Sequence, residues 1–331
     1  EIDINESTNR FILQGNINPL LDDSRSMLYV KRFLSGLVIE NQIEIPYESN
    51  QAEEVLKKIQ KILDRSHHHY IMTDKVTKIL IHYFRDEEVF AEFSTEARSI
   101  RNNELEGQRT NQFRDFSRLL STEMRGRTLY PLQLLSAFHL AFSQNSCNFS
   151  VPGSGKTSIV YGAFSYLKSL PEEDPKKVNK LLVVGPLSSF GPWEDEYFDC
   201  FGREPSVKRI SGNVSPDERT YHFYSSNPAE ITLISYFSVY RVMEDLIFFL
   251  KKHKVMVILD EAHKIKNVEG GVIASSVLEI SKFARSRVVL TGTPVPNGYQ
   301  DLFNLFKFIW PSKNIIPFNT NQLEQLSDKP I

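Results

Sequence analysis

The chain has 331 residues, 41% of them apolar, with 23 phenylalanines and a formal net charge of −2. That is material for a sizeable core and suits two domains, and it excludes both a disordered tail and a uniformly basic nucleic-acid coat. Two cysteines exclude a disulfide framework and point to a reducing compartment, cytoplasmic or, in a eukaryote, nuclear; no apolar run is long enough to span a membrane.

Residues 1–108 read as a smaller accessory domain, α+β or mainly helical. Leu37-Val38-Ile39 and Ile43-Glu44-Ile45 predict two short strands. Residues 51–65 predict an amphipathic helix with Val55, Leu56, Ile59, Ile62 and Leu63 on one face. Asp74 is placed to cap a second helix carrying Val76, Ile79, Leu80, Tyr83 and Phe84. His67, His68 and His69 are adjacent, cannot share a helix face and have no His/Cys cluster after them, so a polar turn is expected there. Residues 98–107 read as a polar linker, followed by a third helix over residues 110–124. No catalytic constellation occurs in this region, which is expected to serve DNA, partner-protein or regulatory contacts.

Residues 109–331 carry the chemistry. A short buried strand is expected over residues 147–151, leading into Ser150-Val151-Pro152-Gly153-Ser154-Gly155-Lys156-Thr157. Gly153 and Gly155 let the backbone turn its N–H groups onto an anion. Lys156 can bridge the β- and γ-phosphates of a nucleoside triphosphate, and Thr157 offers a hydroxyl to Mg²⁺. Pro152, Ser154 and Ser158 complete the candidate nucleotide contacts. The helix expected over residues 156–168 points its positive end at the same phosphates and packs Ile159, Val160, Ala163, Phe164 and Leu167 inward. The pattern G-x-x-x-x-G-K-[ST] asks for glycine at 150; Ser150 makes this loop a variant.

Downstream, residues 170–177 are a charged loop, and residues 202–228, rich in Ser, Pro and Asn, read as a surface excursion. Val255-Met256-Val257-Ile258-Leu259 is a continuous apolar run, as in a parallel strand buried on both faces. Asp260 follows at its carboxyl end, where a carboxylate can hold Mg²⁺, and Glu261 beside it can polarise a water. Val288-Val289-Leu290 predicts another buried strand. Thr291-Gly292-Thr293 follows it, with Thr291 placed to sense the γ-phosphate.

Taken in order, these segments resemble the first RecA-like lobe of superfamily-two helicases. More narrowly, they resemble the Swi/Snf class of ATP-dependent DNA translocases, over residues 127–311. Leu129-Tyr130-Pro131-Leu132-Gln133 resembles the adenine-reading segment; residues 182–189 with Trp193 and Glu194, motif Ia; Ile234-Ser235-Tyr236, motif Ib. Residues 258–267 resemble the extended motif II, and residues 290–297, with Leu302, Phe303, Leu305 and Trp310-Pro311 behind them, motif III. The resemblance implies a parallel sheet with helices on both faces, ATP and Mg²⁺ as cofactors, and double-stranded DNA as partner. It makes Glu261, Lys156 and Asp260 the catalytic residues, Thr157 and Asp260 the metal ligands, and Gln133 the base contact. Pro186, Leu187, Ser188, Ser235, Tyr236 and Thr293 become nucleic-acid contacts, while Lys264 and Lys266 fit either DNA or a solvated surface. Ser150 in the phosphate loop and Pro296, where motif III usually has glutamine, loosen the match to eukaryotic-style remodellers and suggest a divergent microbial member.

The class needs a second RecA-like lobe to complete the ATP site, and no such segment follows Trp310-Pro311 here. With Glu1 rather than methionine at its start, the chain is expected to be part of a longer protein and, alone, to hydrolyse ATP weakly. A role in antiviral defence, restriction or repair fits. An RNA or single-strand helicase and a non-hydrolysing nucleotide-binding scaffold are the alternatives.

Overall fold

Four antiparallel strands organise the N-terminal region: β1 (Ile2–Asn5), β2 (Arg10–Gln14), β3 (Leu37–Ile39) and β4 (Gln42–Pro46), in the order β1-β2-β4-β3. The computed structural model describes residues 1–331 other than 6, 48–51, 80–90, 92–94, 96–97, 101, 103–107, 213, 266–270, 296–297, 314, 319 and 328–331. Side chains alternate across the sheet, so Ile2, Ile4, Phe11, Leu13, Ile43 and Ile45 share one buried core. The helix Ala52–Arg65 contributes Val55, Leu56, Ile59, Ile62 and Leu63 to that core, the face its periodicity predicts. Residues 74–79 are helical with Val76 buried; Leu80, Tyr83 and Phe84 lie outside the described residues.

The chain divides into two compact units, Glu1–Glu92 and Phe93–Ile331, upstream of the 108/109 boundary expected from sequence. The physical reason lies in Ile100. It stands in the stretch read as a polar linker, yet residues 98–100 are helical and Ile100 is buried in the second unit's core.

The second unit is built on six parallel strands: β5 (Asn145–Asn148), β6 (Lys180–Gly185), β7 (Val207–Ile210), β8 (Ile231–Ser235), β9 (Val255–Leu259) and β10 (Ser286–Leu290). Their order is β5-β10-β9-β6-β8-β7. Helices cover both faces, and strand alternation sorts the side chains into two cores. Leu181, Val183, Leu233, Met256, Ile258, Val288 and Leu290 pack on one side with the helices Pro131–Ser143 and Lys156–Ser169. Leu182, Val184, Ile234, Val255, Val257, Leu259 and Val289 pack on the other with Met243–Lys252, Val272–Ser281 and Leu302–Ile309. This double burial is why β6 and β9 read as unbroken apolar runs.

Two expectations change here. The strand expected over residues 147–151 is β5, which ends at Asn148 because the Ser150 N–H and hydroxyl both turn back to Asn148 Oδ1 (3.0 and 2.5 Å). The stretch 202–228 is not a surface excursion, since it supplies the edge strand β7 and the helix Pro216–Tyr224.

That helix carries a pH-sensitive group. His222 is buried, its Nε2 2.9 Å from Thr232 Oγ1 and its ring stacked on Phe249. Burial, with smaller contributions from Lys208, Lys180 and His253, pushes its pKa from 6.5 down to about 4. The unfolded chain therefore binds the proton at a higher pH than the folded one. The stabilisation from neutral His222 is complete above pH 6.5 and is lost as pH falls toward 4, on the order of 2 kcal/mol. His222→Gln is expected to flatten the fall in melting temperature over that interval, which scanning fluorimetry would detect; equal slopes in both proteins would remove His222 as the cause.

Candidate active site

The loops after β5, β6, β8, β9 and β10 leave the carboxyl ends of parallel strands, so one edge of the sheet gathers every candidate residue they carry. After β5, Ser150 Oγ lies 2.5 Å from Asn148 Oδ1 and 2.8 Å from Ser154 Oγ. The serine that departs from the glycine pattern thus ties the loop across its own span. Gly153 and Gly155 both take φ +79°, the left-handed turn that favours glycine, and Gly155 caps the helix Lys156–Ser169. Lys156 Nζ donates to the carbonyl oxygens of Ser150 (3.0 Å) and Val151 (3.1 Å), which holds the ammonium at the loop. Pro152 is exposed and Thr157 half-buried.

Two members of the predicted nucleotide set are engaged otherwise. Gln133 Nε2 donates to Ser154 O (2.9 Å) while its Oε1 accepts from Tyr130 N–H (3.0 Å). The amide expected to read a base therefore bridges a helix start to the phosphate loop. Ser158 is buried, and its hydroxyl donates to Glu196, which also takes Arg127 Nη1 at 2.5 Å. Its side chain belongs to that network and is not available to phosphates.

After β9, Asp260 N–H pairs with Val184 O (2.8 Å), extending the strand by one residue. Asp260 Oδ2 accepts from the indole Nε1 of buried Trp193 (3.0 Å), and Asp260 O accepts from the Tyr236 hydroxyl (2.9 Å). Burial, with Asp260 and Glu261 nearby, raises the Tyr236 phenol well above its usual range, so it stays a donor. Glu261 takes φ +51°, uncommon for a side-chain-bearing residue, and its carboxylate lies 3.3 Å from His263 Nδ1. Strain of this kind gathers at functional positions.

After β10, Thr291 is fully buried; its N–H reaches Asn148 O (3.3 Å) and its hydroxyl accepts from Thr293 N–H (3.2 Å). The expected phosphate sensor shapes the turn with its side chain. Gly292 stands against the loop 150–157, where a Cβ would lie 2.9 Å from Pro152 Cδ, so the two turns are closely apposed.

The nucleic-acid candidates also divide. Leu187, Ser188 and Thr293 are exposed and Pro186 is half-buried. Ser235 instead caps the helix Tyr236–Arg241, accepting from Ser238 N–H at 3.2 Å, and Tyr236 is buried against Asp260. Neither side chain is free for a backbone phosphate. Lys264 is exposed; Lys266, Asn267, Pro296 and Asn297 lie outside the described residues.

The donor set suits Mg²⁺, a hard cation that takes oxygen ligands and shares them with phosphates and water. Thr157 offers a hydroxyl, and Asp260 Oδ1 has no hydrogen-bond partner among the described residues. No group of three or more His, Cys, Asp or Glu among the described residues could hold a metal ion alone, so such an ion would depend on the phosphates. No helix among them is long and apolar enough to cross a membrane.

Residues 119–320 match the family described as SNF2-related domain. The chain is 29% identical over 162 residues to the ATP-dependent helicase FUN30 of Saccharomyces cerevisiae, covering 48% of this chain and 14% of that protein. It is 30% identical over 161 residues to the transcription regulatory protein SNF2 of the same yeast (48% and 9%). It is 32% identical over 166 residues to the DNA repair and recombination protein RAD54-like of Drosophila ananassae (48% and 20%). The chain thus spans a fifth or less of the length of these relatives. Among solved structures, it is similar to the Sulfolobus solfataricus SWI2/SNF2 ATPase core domain, with TM-score 0.43 and 22% identity over 60% of this chain and 38% of that one. With more than half of its length matched to the family, including every strand of the parallel sheet, the chain belongs to the SNF2-related domain family.

Proposed function

We propose that this chain is the ATP-binding lobe of a motor that moves along double-stranded DNA. The observation that carries the reading is the gathering of the loop 150–157 and the pair Asp260-Glu261 on one sheet edge, in a chain whose relatives are named as ATP-dependent helicases and DNA repair proteins. The loop is read as a phosphate-binding loop and residues 260–263 as its acidic partner motif. The N–H groups of residues 153–157 and the ammonium of Lys156 cradle the phosphates. Thr157 and Asp260 hold Mg²⁺, which neutralises charge on the transferred phosphoryl group when bound. Glu261, whose carboxylate is partly exposed and touches only His263 among the described residues, orients the attacking water. Leu187, Ser188 and Thr293 supply DNA-backbone contacts from the same edge. A second RecA-like lobe, as the family uses, completes the site, so hydrolysis by this lobe alone is slow.

Phosphate release by the full-length protein tests this, with no nucleic acid, duplex DNA, single-stranded DNA or RNA added and Lys156→Ala as the blank. Stimulation by duplex DNA that the blank lacks is the expected result. Preference for single strands or RNA would replace translocation on duplex DNA with the helicase alternative, and indifference to all three would overturn the nucleic-acid motor.

A further inference from the structure

Asp260 is fixed from several directions, and the groups that fix it come from elements far away in sequence. Its Oδ2 takes the Trp193 indole N–H at 3.0 Å. Trp193 belongs to the helix Phe190–Phe201, which follows β6, and is 1% exposed. The turn bearing Trp193 is itself pinned, because the hydroxyl of Tyr161, on the helix that follows the phosphate loop, donates to Trp193 O at 2.6 Å. The Tyr161 ring meets the indole edge-on at 5.4 Å. On the main-chain side, Tyr236, the first residue of the helix that follows β8, donates its hydroxyl to Asp260 O at 2.9 Å.

Packing alone would not require this arrangement. Trp193 could fill its place in the core with the N–H turned to a backbone carbonyl; instead its one donor meets a carboxylate oxygen. An indole N–H only donates, so it settles one carboxylate oxygen and leaves Oδ1 without a hydrogen-bond partner among the described residues. A carboxylate with one oxygen tethered and its main chain locked is aimed, and aiming is what an outer group contributes to a metal ligand.

We propose that Trp193 and Tyr236 are positioning residues for the Mg²⁺-binding carboxylate: Trp193 orients the side chain of Asp260 and Tyr236 its main chain. The proposal rests on the reading of Asp260 as the Mg²⁺ ligand of a nucleotide site. Three separate hydrogen bonds, joined through the covalent frames of Trp193 and Asp260, then link the phosphate-loop helix to Asp260 and to Tyr236. The helices Phe190–Phe201 and Tyr236–Arg241, which follow the segments carrying the nucleic-acid candidates, thereby hold the side chain and the main chain of Asp260 respectively.

The test is the Mg²⁺ dependence of binding of a fluorescent ATP analogue to the full-length protein. Trp193→Phe keeps an aromatic ring and deletes the donor. It is expected to raise the half-saturating Mg²⁺ concentration about 10-fold. Affinity without Mg²⁺ stays unchanged, and excess Mg²⁺ restores full affinity. Tyr236→Phe, which removes a single hydroxyl, moves the Mg²⁺ requirement in the same direction and carries the test if Trp193→Phe does not fold by circular dichroism. An unchanged Mg²⁺ requirement in the folded variants, or an affinity loss that no Mg²⁺ concentration repairs, overturns the positioning role while the nucleotide site stands. Lys156→Ala separates the two failures: if it binds the analogue as the parent does, the nucleotide-site reading itself falls, and the proposal with it.

Discussion

Glu261→Gln should abolish DNA-stimulated ATP hydrolysis while nucleotide binding survives. The two adjacent carboxylates stand in different surroundings, which supports the roles proposed for them. Asp260 is tethered by Trp193 at one oxygen and by Tyr236 at its carbonyl, which suits the ligand role proposed for it. The Glu261 side chain is 46% exposed, with His263 Nδ1 as its one close partner among the described residues, and can meet a water. Its φ of +51° marks a turn in the chain immediately after Asp260. Glutamine keeps the size and the backbone preference of glutamate and removes the group that orients and deprotonates water. A loss of this kind is worth about 10²- to 10⁴-fold in turnover. Single-turnover phosphate release by the full-length protein on duplex DNA, beside a nucleotide titration, separates the two effects. Turnover within a few fold of the parent would move the water-activating role elsewhere, and lost binding would make Glu261 a structural residue.

Sequence legibility followed burial and locality. β6 and β9 were readable because a strand buried on both faces has no polar position to interrupt it. The turn at residues 150–157 was readable because its glycines and the start of its helix are adjacent in the chain. β7 (Val-Lys-Arg-Ile) was not, because an edge strand carries Lys208 and Arg209 toward ion pairs with Glu218 and Glu194 and so looks like a loop. β1 and β2, of four and five residues, were not anticipated from the sequence. Contacts across long separations left no local signal. Trp193 was noticed as part of a family motif, but its bond to Asp260 spans 67 residues. The direction of Tyr236 was likewise a matter of packing: Ser235 ends β8 half-exposed, and the next side chain turns inward to the motif II carbonyl. Gln133 was expected at a base, and its meeting with Ser154 O depends on how a helix start seats against a loop 21 residues away.

That meeting makes Gly155 the most sensitive position of the loop. Gly153 and Gly155 share the same φ of +79°, which costs an alanine about 1–2 kcal/mol. They differ in their surroundings: nothing lies within 4 Å of a Cβ placed on Gly153, whereas a Cβ on Gly155 would collide with Gln133 Nε2. Gly153→Ala therefore carries one penalty and Gly155→Ala two. Relief of the second requires Gln133 to release Ser154 O, or the loop to abandon its left-handed turn and take its N–H groups off the phosphates. Gly153→Ala is expected to weaken nucleotide binding by about tenfold and Gly155→Ala by on the order of 100-fold. Gln133→Ala added to Gly155→Ala should recover part of the difference by clearing the collision without easing the backbone. Titration of the three variants with a fluorescent ATP analogue gives the comparison. Equal losses in the two single variants would mean that Gln133 yields freely and its bridge to Ser154 does not hold the loop. Parent-like binding in both would mean that the turn seen here is not the one that grips phosphate.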